Sequence, residues 1–153
     1  MTNYELLIAQ VQGLLEEKNK IAALSNVTAC INQNTDTINW VGFYFIDNDE
    51  LILGPFQGKV ACTHLKIGKG VCGTAVAKKQ TQLIPNVHTF AGHIACDSAS
   101  ESELVIPIFL NDQVIAVLDI DSPILERFTL QDASCFEAIC KKISEAYSIH
   151  NWK

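Results

Sequence analysis

Residues 104–110 (LVIPIFL) and 114–120 (VIAVLDI) are two apolar runs joined through Asn111-Asp112. Apolar runs of this length, bounded by turn residues, read as strands. So short a link returns the second strand beside the first as a tight antiparallel hairpin. A second hairpin is written earlier in the chain. The aromatic-rich run 40–46 (WVGFYFI) is followed by turn-like Asp47-Asn48-Asp49 and then by 51–53 (LIL).

Helical patterns flank these hairpins. Thr2 and Glu5 form a capping-box pattern. Leu7, Val11, Leu14 and Leu15 then fall on one helical face, and Ile21, Leu24, Val27 or Thr28, and Ile31 form a second stripe beyond Lys18–Lys20. Near the C-terminus, Thr129 is a fitting N-cap with Asp132 three residues on. Phe136, Ile139 or Cys140, Ile143 and Tyr147 line one face of that helix. The order helix, helix, strands, helix implies an α+β fold, an antiparallel sheet with helices on one side, as a single domain over residues 1–153.

Hydrophobic residues make up 48% of the 153-residue chain and charged residues 18%, which supplies a sizeable core and excludes a disordered chain. The net charge of −6, with no basic cluster, argues against nucleic-acid and anionic-membrane partners. No run approaches the roughly 18 apolar residues of a membrane span. The first residues lack a basic region and carry Glu5, Glu16 and Glu17, which is unlike a signal peptide. A cytoplasmic location is the expectation.

Six cysteines then need an explanation: Cys30, Cys62, Cys72, Cys96, Cys135 and Cys140. In a reducing compartment they are packing residues, metal ligands or redox groups. Cys30, Cys135 and Cys140 sit in helical patterns and read as packing residues. The other three lie in the long segment 54–102, with His64, His88 and His93 and six of the eight glycines. A long irregular stretch inside a compact domain is usually functional. Cys72 directly precedes a short helical pattern at 74–79, and a helix N-terminus favours a thiolate. Cys96 lies close to His93, and Cys62 close to His64. Simple burial is one alternative. Metal binding through Cys62-x-His64 and His93-x-x-Cys96 is another, although no C-x-x-C pair is present and the spacings match no standard zinc module.

Carboxylates form the second half of the candidate site. Alternation along the strand at 114–121 puts Ile115, Val117, Asp119 and Asp121 on one face. Asp119 and Asp121 are then about 7 Å apart. Glu103 opens the partner strand, and no Lys or Arg is placed nearby in sequence. Burying like charges is costly without a cation. These groups are therefore either solvated at a strand end or awaiting a cationic ligand such as an ammonium. Trp40, Gly42 and Tyr44 share a face of their strand, an aromatic wall with space beside it.

The strings GPFQGKVAC, GKGVCGTA, HTFAGHIACDSASESELVIPI and VLDIDSP resemble the free methionine-(R)-sulfoxide reductases, small single-domain GAF proteins. The resemblance covers about residues 40–132. It implies a GAF fold, a homodimer, and reduction of free methionine (R)-sulfoxide with thioredoxin as reductant, a defence against oxidative stress. It implies Cys96 as the nucleophile, with Cys62 and Cys72 as resolving or auxiliary thiols. The residues matching the substrate-binding set are Trp40, Glu103, Asp119 and Asp121. The resemblance further implies that Cys96 passes through a sulfenic acid to an intramolecular disulfide, with no metal or organic cofactor. The competing expectation is a non-catalytic GAF module that senses a small molecule.

Overall fold

A computed structural model describes residues 2–93 and 98–153. Helices α1 (Tyr4–Leu14) and α2 (Lys20–Asn34) lead into the hairpin β1 (Trp40–Asp47) and β2 (Glu50–Gly58). Short strand β3 (His64–Lys66), helix α3 (Gly70–Lys78) and strand β4 (Gln82–Ile84) follow. The second hairpin is β5 (Ser102–Leu110) and β6 (Gln113–Ser122), and α4 (Leu130–His150) closes the chain. The strands form one sheet in the order β3-β2-β1-β6-β5-β4, every pairing antiparallel. The two hairpins expected from the sequence thus join along β1 and β6 as the centre of the sheet.

Strand alternation divides the molecule into two apolar layers. Val41, Phe43, Leu104, Ile106, Ile108, Leu118 and Ile120 pack against the helical layer, which contributes Leu7, Val11, Leu24, Ile31, Phe136, Ile139 and Ile143. On the opposite face Trp40, Tyr44, Val105 and Val117 pack with Leu65, Val71, Cys72 and Ala75. Helices therefore cover both faces, and the expectation of helices on one side needs correcting. Helix α3 lies on the second face because Val71, Cys72, Ala75 and Val76 bury its apolar side there.

Local chemistry accounts for the other differences. Helix α1 is capped by Asn3, whose side chain accepts from the Leu6 N–H at 3.1 Å, rather than by Thr2. Asn19 caps α2 in the same way through the Ala22 N–H, 3.0 Å away, and Ile21 is left exposed. The expected capping box of α4 is present, with reciprocal bonds between Thr129 and Asp132. Between Ile108 and Phe109 the β5–β6 register shifts, and Ile115 packs with the helical layer while Val114 turns to the other face. The expected face shared by Ile115 and Val117 is broken by that bulge. Helix α3 begins four residues before the expected start at 74, from Gly70 at φ +68°.

Candidate active site

Register places the expected binding residues in a row. Trp40 on β1 pairs with Asp121 on β6, and Asp121 pairs with Glu103 on β5. One step along, Gly42 pairs with Asp119, and Asp119 with Val105. All of these positions point to the α3 side of the sheet, by alternation from Val117 and Val105. Trp40, Glu103, Asp119, Asp121, Cys72 and His93 line one pocket there.

An aromatic stack forms the wall. The Trp40 ring stacks on Phe56 at 5.3 Å and on Tyr44 at 5.9 Å between centroids, and its indole N–H donates to the Lys59 carbonyl at 3.1 Å. Gly42 makes this stack possible. A Cβ on Gly42 would stand 2.4 Å from the Phe56 Cβ and 2.5 Å from the Trp40 ring. The aromatic wall expected from the sequence is present, and the Trp40 ring itself fills the space over the glycine.

The pocket floor is acidic and dry. Glu103 and Asp119 are each only 6% exposed. Burial, the neighbouring Asp119 and Asp121 charges, and hydrogen bonds to both hold the Glu103 carboxyl well above the ordinary range. Asp119 is also raised by burial, while hydrogen bonds from Glu103 and Cys72 oppose that shift. In this network Glu103 and Cys72 donate and Asp119 accepts. Among the described residues the buried Asp119 Oδ1 atom has no hydrogen-bond partner. The solvated strand end considered above is therefore excluded for Glu103 and Asp119.

The thiols divide differently from expectation. Cys72 does sit in the first turn of α3, yet burial and then the Asp119, Glu103 and Asp121 charges push its thiol well above the usual value. Dry surroundings and three nearby carboxyls outweigh the helix dipole, so the expected depression at this position is reversed. Cys62 is disulfide-bonded, and its carbonyl accepts from the Tyr44 hydroxyl at 3.1 Å. Cys135 and Cys140 are buried in the helical layer and Cys30 packs at its edge, as expected of packing residues. Cys96 lies outside the described residues.

The sequence offers His93 as a neighbour of Cys96 and as half of a His93-x-x-Cys96 ligand pair, and the fold gives it a further place. Its Nε2 stands 3.7 Å from Glu103 Oε1, with its side chain mostly buried. Burial and His88 hold its pKa below the usual value. His64 instead pairs with Glu50 at 3.0 Å on an exposed surface. The Cys62-x-His64 ligand pair considered from spacing is thus turned to other partners.

The family model for the GAF domain matches residues 14–147. The free methionine-R-sulfoxide reductase of Escherichia coli is 45% identical over 137 residues, covering 90% of this chain and 83% of that protein. The Saccharomyces cerevisiae enzyme of the same name is 42% identical over 151 residues, covering 93% and 84%. This chain belongs to the free methionine-R-sulfoxide reductase family of GAF-domain proteins.

Solved structures of the family agree in fold. The Staphylococcus aureus free methionine-R-sulfoxide reductase in complex with substrate matches with a TM-score of 0.91 at 55% identity, covering 95% of this chain and 96% of that one. The Neisseria meningitidis enzyme in complex with its substrate matches with a TM-score of 0.94 at 37% identity, covering 97% and 90%. Among the described residues no helix is long and apolar enough to cross a membrane.

Proposed function

We propose that this chain reduces free L-methionine (R)-sulfoxide to methionine, using the pocket between the sheet and α3. The observation that carries the proposal is the buried carboxyl row beneath Trp40, beside a cysteine already in disulfide form. A row of acids in a dry pocket binds an ammonium group well, because the cation relieves their mutual repulsion. Free methionine sulfoxide has that ammonium, whereas a residue within a peptide does not. Trp40 packs on the methyl sulfoxide end.

The chemistry follows from the protonation states. Cys96 attacks the sulfoxide sulfur as a thiolate, forming a sulfur–sulfur bond, while neutral Glu103 protonates the sulfoxide oxygen and Asp119 and Asp121 hold the ammonium. The resulting hydroxyl passes from the substrate sulfur to the Cys96 sulfur as the sulfur–sulfur bond breaks with its electron pair on the substrate, so methionine leaves as the thioether and Cys96 is left as a sulfenic acid. The Cys62 thiol condenses with it, forming a disulfide and releasing water. Thioredoxin then reduces that disulfide by thiol exchange. Cys72, protonated and bonded to Asp119, is an auxiliary thiol that orients the carboxyl network. The protein works as a cytoplasmic homodimer in defence against oxidative stress.

The deciding experiment is a thioredoxin-coupled assay with separate epimers. The expected result is turnover of the free R-epimer and little of the S-epimer or of a peptide-embedded sulfoxide. Saturable binding of methionine sulfoxide without turnover would instead identify a sensor module.

A further inference from the structure

We propose that the pocket floor also binds a divalent transition-metal ion of the zinc type, held by Cys72 Sγ, Glu103 and Asp119, with its fourth position left to a water molecule. Ligand atoms of Cys72, Glu103 and Asp119 all lie within 4.8 Å of one another, and all three residues are buried. Among the described residues the buried Asp119 Oδ1 has no hydrogen-bond partner, and Asp119 lines the pocket. Zinc bonds of about 2.0–2.3 Å give ligand separations of about 3.3–3.8 Å, within the spread of these three atoms. A thiolate and two carboxylates, completed by a water, form a donor set zinc accepts.

Charge and protons balance without any redox change. Ionising Cys72, Glu103 and Asp119 together would bury three negative charges. A bound dication leaves a net charge of −1. A ligating thiol must be deprotonated, so the Cys72 proton passes to solvent. A metal bound this way occupies the carboxyls proposed for the substrate ammonium. It is therefore a reversible inhibitor, not a cofactor.

Cobalt(II) is the probe, added to the reduced protein under anaerobic conditions. The expected spectrum has a near-ultraviolet thiolate-to-cobalt band and intense visible bands of tetrahedral geometry, at one equivalent, erased by excess zinc. Cys72→Ser should lose the thiolate band, and Asp119→Asn and Glu103→Gln should each weaken binding tenfold or more. Cys62→Ser and Cys135→Ala should keep the spectrum. Calorimetric titration of wild-type protein with zinc in buffers of different ionisation enthalpy should show proton release, a readout that needs no variant. Absence of a tetrahedral cobalt spectrum in wild type, a thiolate band that survives Cys72→Ser, or zinc binding without proton release would each overturn the proposal. Binding is read without turnover, so it is decided independently of the reductase reading.

Discussion

The phenol of Tyr44, on the central strand of the sheet, donates to the main-chain carbonyl of Cys62 over 3.1 Å. One hydrogen bond thus ties the disulfide-bearing segment to the floor of the pocket. Tyr44→Phe keeps the ring in its stack with Trp40 and removes only this tie. The expected stability loss is about 1 kcal/mol, the ordinary net worth of one hydrogen bond. Disulfide formation after a single turnover should slow, while release of the first methionine stays close to wild type. Thermal melting and stopped-flow thiol counting measure the two effects.

Single-turnover chemistry separates the cysteines. Cys96→Ser should form no methionine, because the nucleophile is gone. Cys62→Ser should form one methionine per protein and then stall as a sulfenic acid. Quantifying methionine per subunit without reductant checks both. A burst in Cys96→Ser would reassign the nucleophile. Cys135→Ala should retain activity and lose about 1 kcal/mol of stability, seen in denaturant titration.

The buried acid gives stability a definite pH slope. The folded-state pKa of Glu103 lies well above its unfolded value, so between the two the folded state binds more protons. Stability from this group is present in full below the unfolded value, near pH 4.5, and is lost as pH rises through the folded value. The melting temperature of wild type should therefore decline on the alkaline side of pH 4.5. Glu103→Gln, which cannot ionise, should flatten that decline. An equally steep decline in the variant would show that Glu103 is not the titrating group.

The carboxyls should also separate by kinetic effect. Glu103→Gln should lower the rate of methionine release in single turnover and leave apparent affinity nearly unchanged. Asp121→Asn should chiefly weaken apparent affinity for the free amino acid. A substrate blocked at its amino group should be turned over poorly by wild type. Equal efficiency on the blocked and free substrates would exclude ammonium recognition.

Gly42 leaves no room for a side chain beneath the aromatic stack. Gly42→Ala sets a methyl 2.4 Å from the Phe56 Cβ, and the ring stack must shift. Overpacking of this kind costs about 1–3 kcal/mol. Tryptophan fluorescence should report the displaced Trp40, and apparent affinity for methionine sulfoxide should fall with it.

Strand periodicity made much of this legible in the sequence. The alternation Val117, Asp119, Asp121 fixed which carboxyls share a face, and Trp40, Gly42 and Tyr44 were assigned to a single face for the same reason. The short Asn111-Asp112 link specified the hairpin, and the Thr129–Asp132 capping box specified the start of α4. What escaped was set by long-range packing. The protonation state of Cys72 depends on carboxyls contributed by two distant strands, which local sequence around Gly70 does not contain. The bulge that moves Ile115 depends on pairing across the hairpin. His93 gained its place beside Glu103 only through folding of the segment after β4.

The row Trp40–Asp121–Glu103 crosses three strands drawn from both ends of the chain. No local segment can assemble it. A nascent chain released before β6 pairs with β1 would expose its thiols without the acids that govern them. The pocket is therefore created in the same cooperative step as the centre of the sheet, and local fraying of α1, α2 or α4 on the other face need not open it. Amide hydrogens at Val41, Phe43, Leu118 and Ile120 should exchange as slowly as global unfolding allows, and loss of the pocket should coincide with loss of the fold.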